Sequence, residues 1–96
     1  MIQAAGNRMV VSGSVTLANV AALREAGLKL AQNGVTEVDL SQVTEVDSSA
    51  VSLLLEWARA GLDKGQPLRF INLPTNLTSL AQLYGVTDLI FQPADS

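Results

Sequence analysis

VTEVDLSQVTEVDSSAVSLLLEWAR, Val35 to Arg59, changes its periodicity halfway along. In Val35–Leu40, Thr36, Val38 and Leu40 alternate with Glu37 and Asp39, the two-residue repeat of a half-buried strand. From Ala50 onward the apolar residues recur at three and four, which is a helix. Between the two, Asp47-Ser48-Ser49 offers three side-chain oxygens. Asp and Ser are preferred caps because their oxygens accept orphan amide hydrogens. The helix is therefore expected to start here and to run to about Lys64-Gly65. At ~100° per residue, Val51, Leu54, Leu55, Ala58 and Leu62 form a core face. Ser49, Ser52, Glu56, Arg59 and Asp63 lie opposite. Ala50, Leu53, Trp57 and Ala60 make a third, apolar stripe, which suits either a neighbouring helix or a partner protein.

Outward from this stretch, strand and helix patterns alternate. Ile2–Ala4 and Arg8–Ser12 read as a hairpin turning near Gly6-Asn7. After Thr16, a run with Val20, Leu23, Gly27, Leu30 and Ala31 on one face predicts a helix stopped by Asn33-Gly34. Pro67–Leu73 reads as a strand, Pro74 opens a third helix that Gly85 ends, and Leu89–Phe91 suits a last short strand. The economical architecture is a single α/β domain over residues 1–96, with a four- to five-stranded mixed sheet and helices mainly on one face. Val20, Leu23, Leu30, Val38, Leu40, Val51, Leu54, Leu55, Ala58 and Leu80 are its expected core.

Composition narrows the chemistry. The 96 residues are 48% hydrophobic and 16% charged, which excludes a disordered tail. Six Lys+Arg against nine Asp+Glu leave a net charge of -3 and no basic stripe for nucleic acid. With no Cys and no His, disulfides, thiolate nucleophiles, zinc sites and Ser-His catalysis are excluded. No glycine-rich phosphate loop is present, and no cofactor or metal is expected. Arg8 and the apolar residues after it fall short of a signal peptide, because Ser12, Gly13, Ser14, Thr16 and Asn19 interrupt them. Phe70–Thr87 is uncharged but too polar to span a bilayer. A soluble, cytoplasmic, non-enzymatic chain is expected. Glu37, Asp39, Glu45, Asp47 and Glu56 put five of the nine acids into residues 36–56 without a cation. They suit a solvated edge, or an acidic patch at the carboxyl end of the third strand.

The stretch Val35–Arg59 resembles the signature of the STAS, or anti-sigma-factor-antagonist, domain. In that family a strand ending Asp-Leu-Ser leads through a loop to Asp-Ser/Thr and a helix start. Gly13 and the segment SLAQLYGVTDLI fit the same pattern. LLLEWAR and LAQLYGV are similar, more narrowly, to the STAS subunits of bacterial Mla phospholipid transporters. That resemblance implies an interaction subunit that binds the transporter's ATPase at the cytosolic face of the inner membrane, without entering the bilayer, and supports outer-membrane lipid asymmetry. The alternative it implies is an anti-sigma-factor antagonist, captured by an anti-sigma kinase that phosphorylates Ser48. Two departures favour the transporter: Gly13-Ser14-Val15-Thr16 stands where antagonists carry Gly-Glu-Leu/Ile-Asp, and Ala50 stands where they carry Gly. On either reading the expected partner surface is Asp47, Ser48, Ser49, Leu53, Trp57 and Tyr84, with Leu53 and Trp57 as apolar anchors.

Overall fold

The computed structural model describes residues 1–86. Two strands come first, β1 (Ile2–Ala5) and β2 (Arg8–Val15). They pair antiparallel, with Ala5 opposite Arg8, so Gly6-Asn7 is a two-residue turn. Gly6 has φ 65°, the positive value that the first central position of a type II′ turn requires. Helix α1 (Val20–Gln32), strand β3 (Glu37–Val46), helix α2 (Ser48–Asp63), strand β4 (Arg69–Ile71) and helix α3 (Thr75–Leu83) follow. The sheet order is β1-β2-β3-β4, with β2, β3 and β4 mutually parallel. Both crossovers step the same way across adjacent strands, and right-handed connections then place α1 and α2 on one face. The four-stranded mixed sheet with three helices agrees with the expected fold class. The expected strand Leu89–Phe91 lies outside the described residues.

Two boundaries and one helix face differ from the sequence expectation, each for a physical reason. Strand β3 continues six residues past Leu40, through the polar Ser41-Gln42. The eight-residue β2 supplies ladder partners as far as Val15 opposite Val46, with two register shifts on the way. Strand β4 shrinks to three residues because Asn72 turns into the left-handed region at φ 57°. Asn is a residue that tolerates this conformation. The third difference is rotational. Helix α2 buries Ala50, Val51, Leu53, Leu54, Trp57, Ala58 and Gly61, whereas Leu55 is half-buried and Leu62 is 55% exposed. Leu30 and Leu80 are also only half-buried. The other expected core residues, Val20, Leu23, Val38, Leu40, Val51, Leu54 and Ala58, are buried.

The rotation of α2 has one cause. Trp57 has no exposed surface and sits against α1 at Gly27. A Cβ on Gly27 would stand 2.2 Å from the indole ring, so only glycine admits the ring at this crossing. The indole N–H donates to the Arg24 carbonyl at 3.3 Å. The third apolar stripe of α2 therefore faces inward, and Leu53 and Trp57 are not surface anchors. At the far end, the Lys64 ammonium donates to the Ala31 and Gln32 carbonyls in the last turn of α1.

The Gly27–Trp57 packing gives a stability prediction. Gly27→Ala is expected to destabilise by about 1–3 kcal/mol through overpacking, outweighing the ~0.5–1 kcal/mol that alanine normally gains in a helix. Trp57→Ala should cost about 3–5 kcal/mol. In denaturant melts, Gly27→Ala should cost less in a Trp57→Phe background than in wild type, because the two residues share one contact. Additive losses would contradict the direct packing.

Candidate functional site

The connection from β3 into α2 places Asp47 at the N-cap, in extended backbone conformation. Its Oδ1 accepts the Ser49 amide hydrogen at 2.8 Å, and its Oδ2 accepts the Leu17 amide hydrogen at 3.0 Å. One carboxylate thus closes the start of α2 and ties it to the turn between β2 and α1. That turn has its own brace. The Asn19 side chain accepts from the Thr16 amide at 2.9 Å and donates to the Ser14 carbonyl at 2.8 Å. Leu17, held between these bonds, leaves 77% of its surface in solvent.

Ser48 follows the cap and is exposed at the first helical position. The cap is Asp47 rather than Ser48, so the Ser48 hydroxyl is available at the surface. Beside it runs an open groove of about 290 Å³ lined by Ser48, Val51, Ser52, Leu55, Tyr84 and Val86. Tyr84, just past the end of α3, is 53% exposed. The fold therefore brings Asp47, Ser48, Ser49 and Tyr84 to one end of the molecule, as the sequence suggests. It removes Leu53 and Trp57 to the core, which corrects their expected role as anchors. Leu17, Ser52, Leu55 and Val86 join the site instead. Leu17 carries no sequence signal, since a leucine in a turn has no periodicity to mark it. Leu55 is read as core because its spacing matches the buried stripe beside it.

The expected acidic patch does not assemble. Glu37 and Asp39 lie near the start of β3, on the sheet face away from the helices. Arg8 approaches Glu37 at 2.9 Å and Asp39 at 3.6 Å, and Arg69 approaches Glu37 at 3.5 Å. Asp39 is 8% exposed and its carboxyl is held below the ordinary value, foremost by the Ser41 amide and then by Asn72 and Arg8. Glu56 pairs with Arg24 at 3.1 Å. Of the five acids, only Glu45 and Asp47 remain at the end of β3. Among the described residues no group of His, Cys, Asp and Glu could hold a metal ion. No helix among the described residues is long and apolar enough to cross a membrane.

The double bond made by Asp47 generates a pH prediction. The Leu17 amide first, and the Ser49 amide second, lower its pKa from the ordinary value of 3.8. A carboxyl with a lowered folded pKa contributes stability that is complete above its unfolded value and is lost as pH falls through the folded one. Asp47→Asn is therefore expected to melt below wild type at neutral pH, and the gap should narrow as the pH drops below about 4. Thermal melts of both proteins over that range test it. A gap independent of pH would show that the charge of Asp47 is not what closes the turn.

With this geometry in place, the chain can be compared with known proteins. A family model described as "Mlab, STAS domain" matches residues 1–91. No curated protein sequence matches the chain. The unphosphorylated anti-sigma-factor antagonist SpoIIAA superposes with a TM-score of 0.70 at 16% identity, covering 90% of this chain and 80% of that one. A chain of the Acinetobacter MlaFEDB complex in an ATP-bound conformation superposes with a TM-score of 0.71 at 25% identity, covering 88% of this chain and 90% of that one. SpoIIAA, at its lower identity, shows the shared fold. The family model spans both crossovers, the Asp47 cap and α3, and the chain belongs to the MlaB-type STAS-domain family.

Proposed function

We propose that this chain is the STAS subunit of an Mla-type phospholipid ABC transporter, where it binds the ATPase subunit and supports its activity without catalysing a reaction itself. The observation that carries this reading is the likeness to a chain of the MlaFEDB complex, which spans 88% of this chain and 90% of that one. The surface around Ser48 is consistent with it. Leu17 and Tyr84 offer apolar contact, and Ser48 and Ser52 offer hydroxyls. Docking on the ATPase would hold the chain at the cytosolic face of the inner membrane.

The second reading, an antagonist switched by phosphorylation at Ser48, is favoured by one observation: Ser48 is exposed immediately after the capping Asp47. Affinity capture from the native host separates the two. Recovery of ABC-transporter subunits supports the first, and recovery of an ATP-binding anti-sigma kinase supports the second.

Substitution of Ser48 tests the surface itself. An acid in the first turn of a helix is favourable to the fold by about 0.3–1 kcal/mol, so Ser48→Glu should not lower the melting temperature. It would, however, add charge next to Asp47 and Glu45 on a surface that binding desolvates. Ser48→Glu is therefore expected to weaken ATPase binding by at least about tenfold, or ~1.4 kcal/mol. Ser48→Ala, which removes one exposed hydroxyl, should change stability by no more than about 0.5 kcal/mol and affinity by less than the acid does. Titrations of the three proteins against the ATPase decide it. Equal affinity of wild type and Ser48→Glu would place the interface elsewhere.

A further inference from the structure

Among the described residues, helix α2 carries an apolar strip that neither α1 nor the sheet covers. Ser48, Leu55 and Leu62 succeed one another at seven-residue intervals, so they lie in one line over about 21 Å of helix. Two hollows flank the line and share Leu55. The first is the groove between α2 and Tyr84–Val86; the second, of about 140 Å³, is lined by Leu55, Ala58, Arg59 and Leu62. The strip thus has a hole at its N-terminal half and, in the 55% exposed Leu62, a knob at its C-terminal half. Its charges are also divided. Asp47 stands at the N-terminal end, while Glu56, which already pairs with Arg24, and Arg59 lie three residues apart on one side of its C-terminal half. Arg59 makes no ion pair among the described residues.

We infer that this strip is a self-association surface, on which the α2 helices of two copies pack antiparallel about a two-fold axis. The geometry is self-complementary in one register. If Leu62 of one copy enters the other's groove between Val51 and Leu55, three steps back along one helix match three steps forward along its partner. Arg59 then stands level with Glu56 of the other copy, and the symmetry repeats both contacts. A parallel arrangement has neither advantage. It sets Leu62 against Leu62, puts Glu56 and Arg59 of the two copies on opposite flanks, and leaves the groove unfilled. The antiparallel dimer covers Ser48 and Tyr84, so self-association and partner docking at that end exclude each other. The inference stands on the α2 surface alone and does not require the transporter reading.

Sedimentation velocity on the full chain, from micromolar to near-millimolar concentration, tests it. Wild type is expected to pass from monomer to dimer. Leu62→Glu, at an exposed position that leaves the fold intact by circular dichroism, should raise the dimer dissociation constant by at least about tenfold. Arg59→Glu and Glu56→Arg each oppose like charges across the axis and should each weaken the dimer. Mixed in equal amounts they should form a heterodimer, since only the mixed pair opposes unlike charges at both contacts. A wild type that stays monomeric throughout overturns the inference. So does a dimer indifferent to Leu62→Glu, or a mixture no more associated than its components. A monomer that needs Leu62 to hold the transporter ATPase would assign the strip to that partner, and this also overturns it.

Discussion

Trp57 in the notch at Gly27 sets the position of everything that follows it. An indole of this kind buries about 150–250 Å², which at ~25 cal/mol per Å² is worth roughly 4–6 kcal/mol at most. That is a large share of the stability of a chain this small. Its N–H would be costly to bury alone, and the Arg24 carbonyl accepts it. The crossing of α1 and α2 is thereby fixed at mid-helix, and Lys64 fixes it again where α1 ends. With two points held, the N-terminus of α2 has one place left to be, above the end of β3. There Asp47 makes the third attachment, to the Leu17 amide.

This order of constraint explains the electrostatic character of the site. Acids crowd the sequence between Glu37 and Glu56, but most are occupied elsewhere in the fold. Glu37 and Asp39 hold Arg8 and Arg69 on the open sheet face, and Glu56 holds Arg24 across the two helices. The Arg24–Glu56 pair, the one exposed on both sides, contributes little, roughly 0–1 kcal/mol. The larger effect of all these pairs is to keep charge away from the Ser48 end. Asp47 directs its carboxylate at backbone amides, so it shapes the surface from beneath. What faces outward is mostly leucine, tyrosine and hydroxyl, a mixture suited to a protein partner.

The same accounting shows what was legible in the chain before it folded. Helix α2, its cap and the alternation of strand and helix could be read because local chemistry and tertiary demand agree there. The extension of β3 through Ser41-Gln42 could not, since the ladder partners come from β2, about thirty residues away. The core face of α2 was misplaced for a related reason. Apolar residues cover more than half of its circumference, and periodicity cannot choose among three apolar stripes. The choice is made by Gly27, on a different helix, and a lone glycine in a helical run announces nothing about its neighbour. The place of Ser48 at the start of α2 was legible through a motif; the bond from the Leu17 amide to Asp47 was not, because the two lie thirty residues apart in the chain.

Ser48 shows how one position in this fold can serve two kinds of biology. The fold itself welcomes negative charge there, because the first turn of α2 presents backbone amides and the positive end of the helix dipole. An interface need not share that preference. A partner matched to a small hydroxyl must desolvate whatever stands in its place, and a phosphate of about -1.5 to -2 charge next to Asp47 and Glu45 is the hardest group to desolvate. Were Ser48 part of such an interface, folding and binding would respond to the same modification with opposite sign. A family member that meets a kinase can use this difference as a switch without risk to its fold. A member that never meets one keeps a permanent docking surface from the same residues.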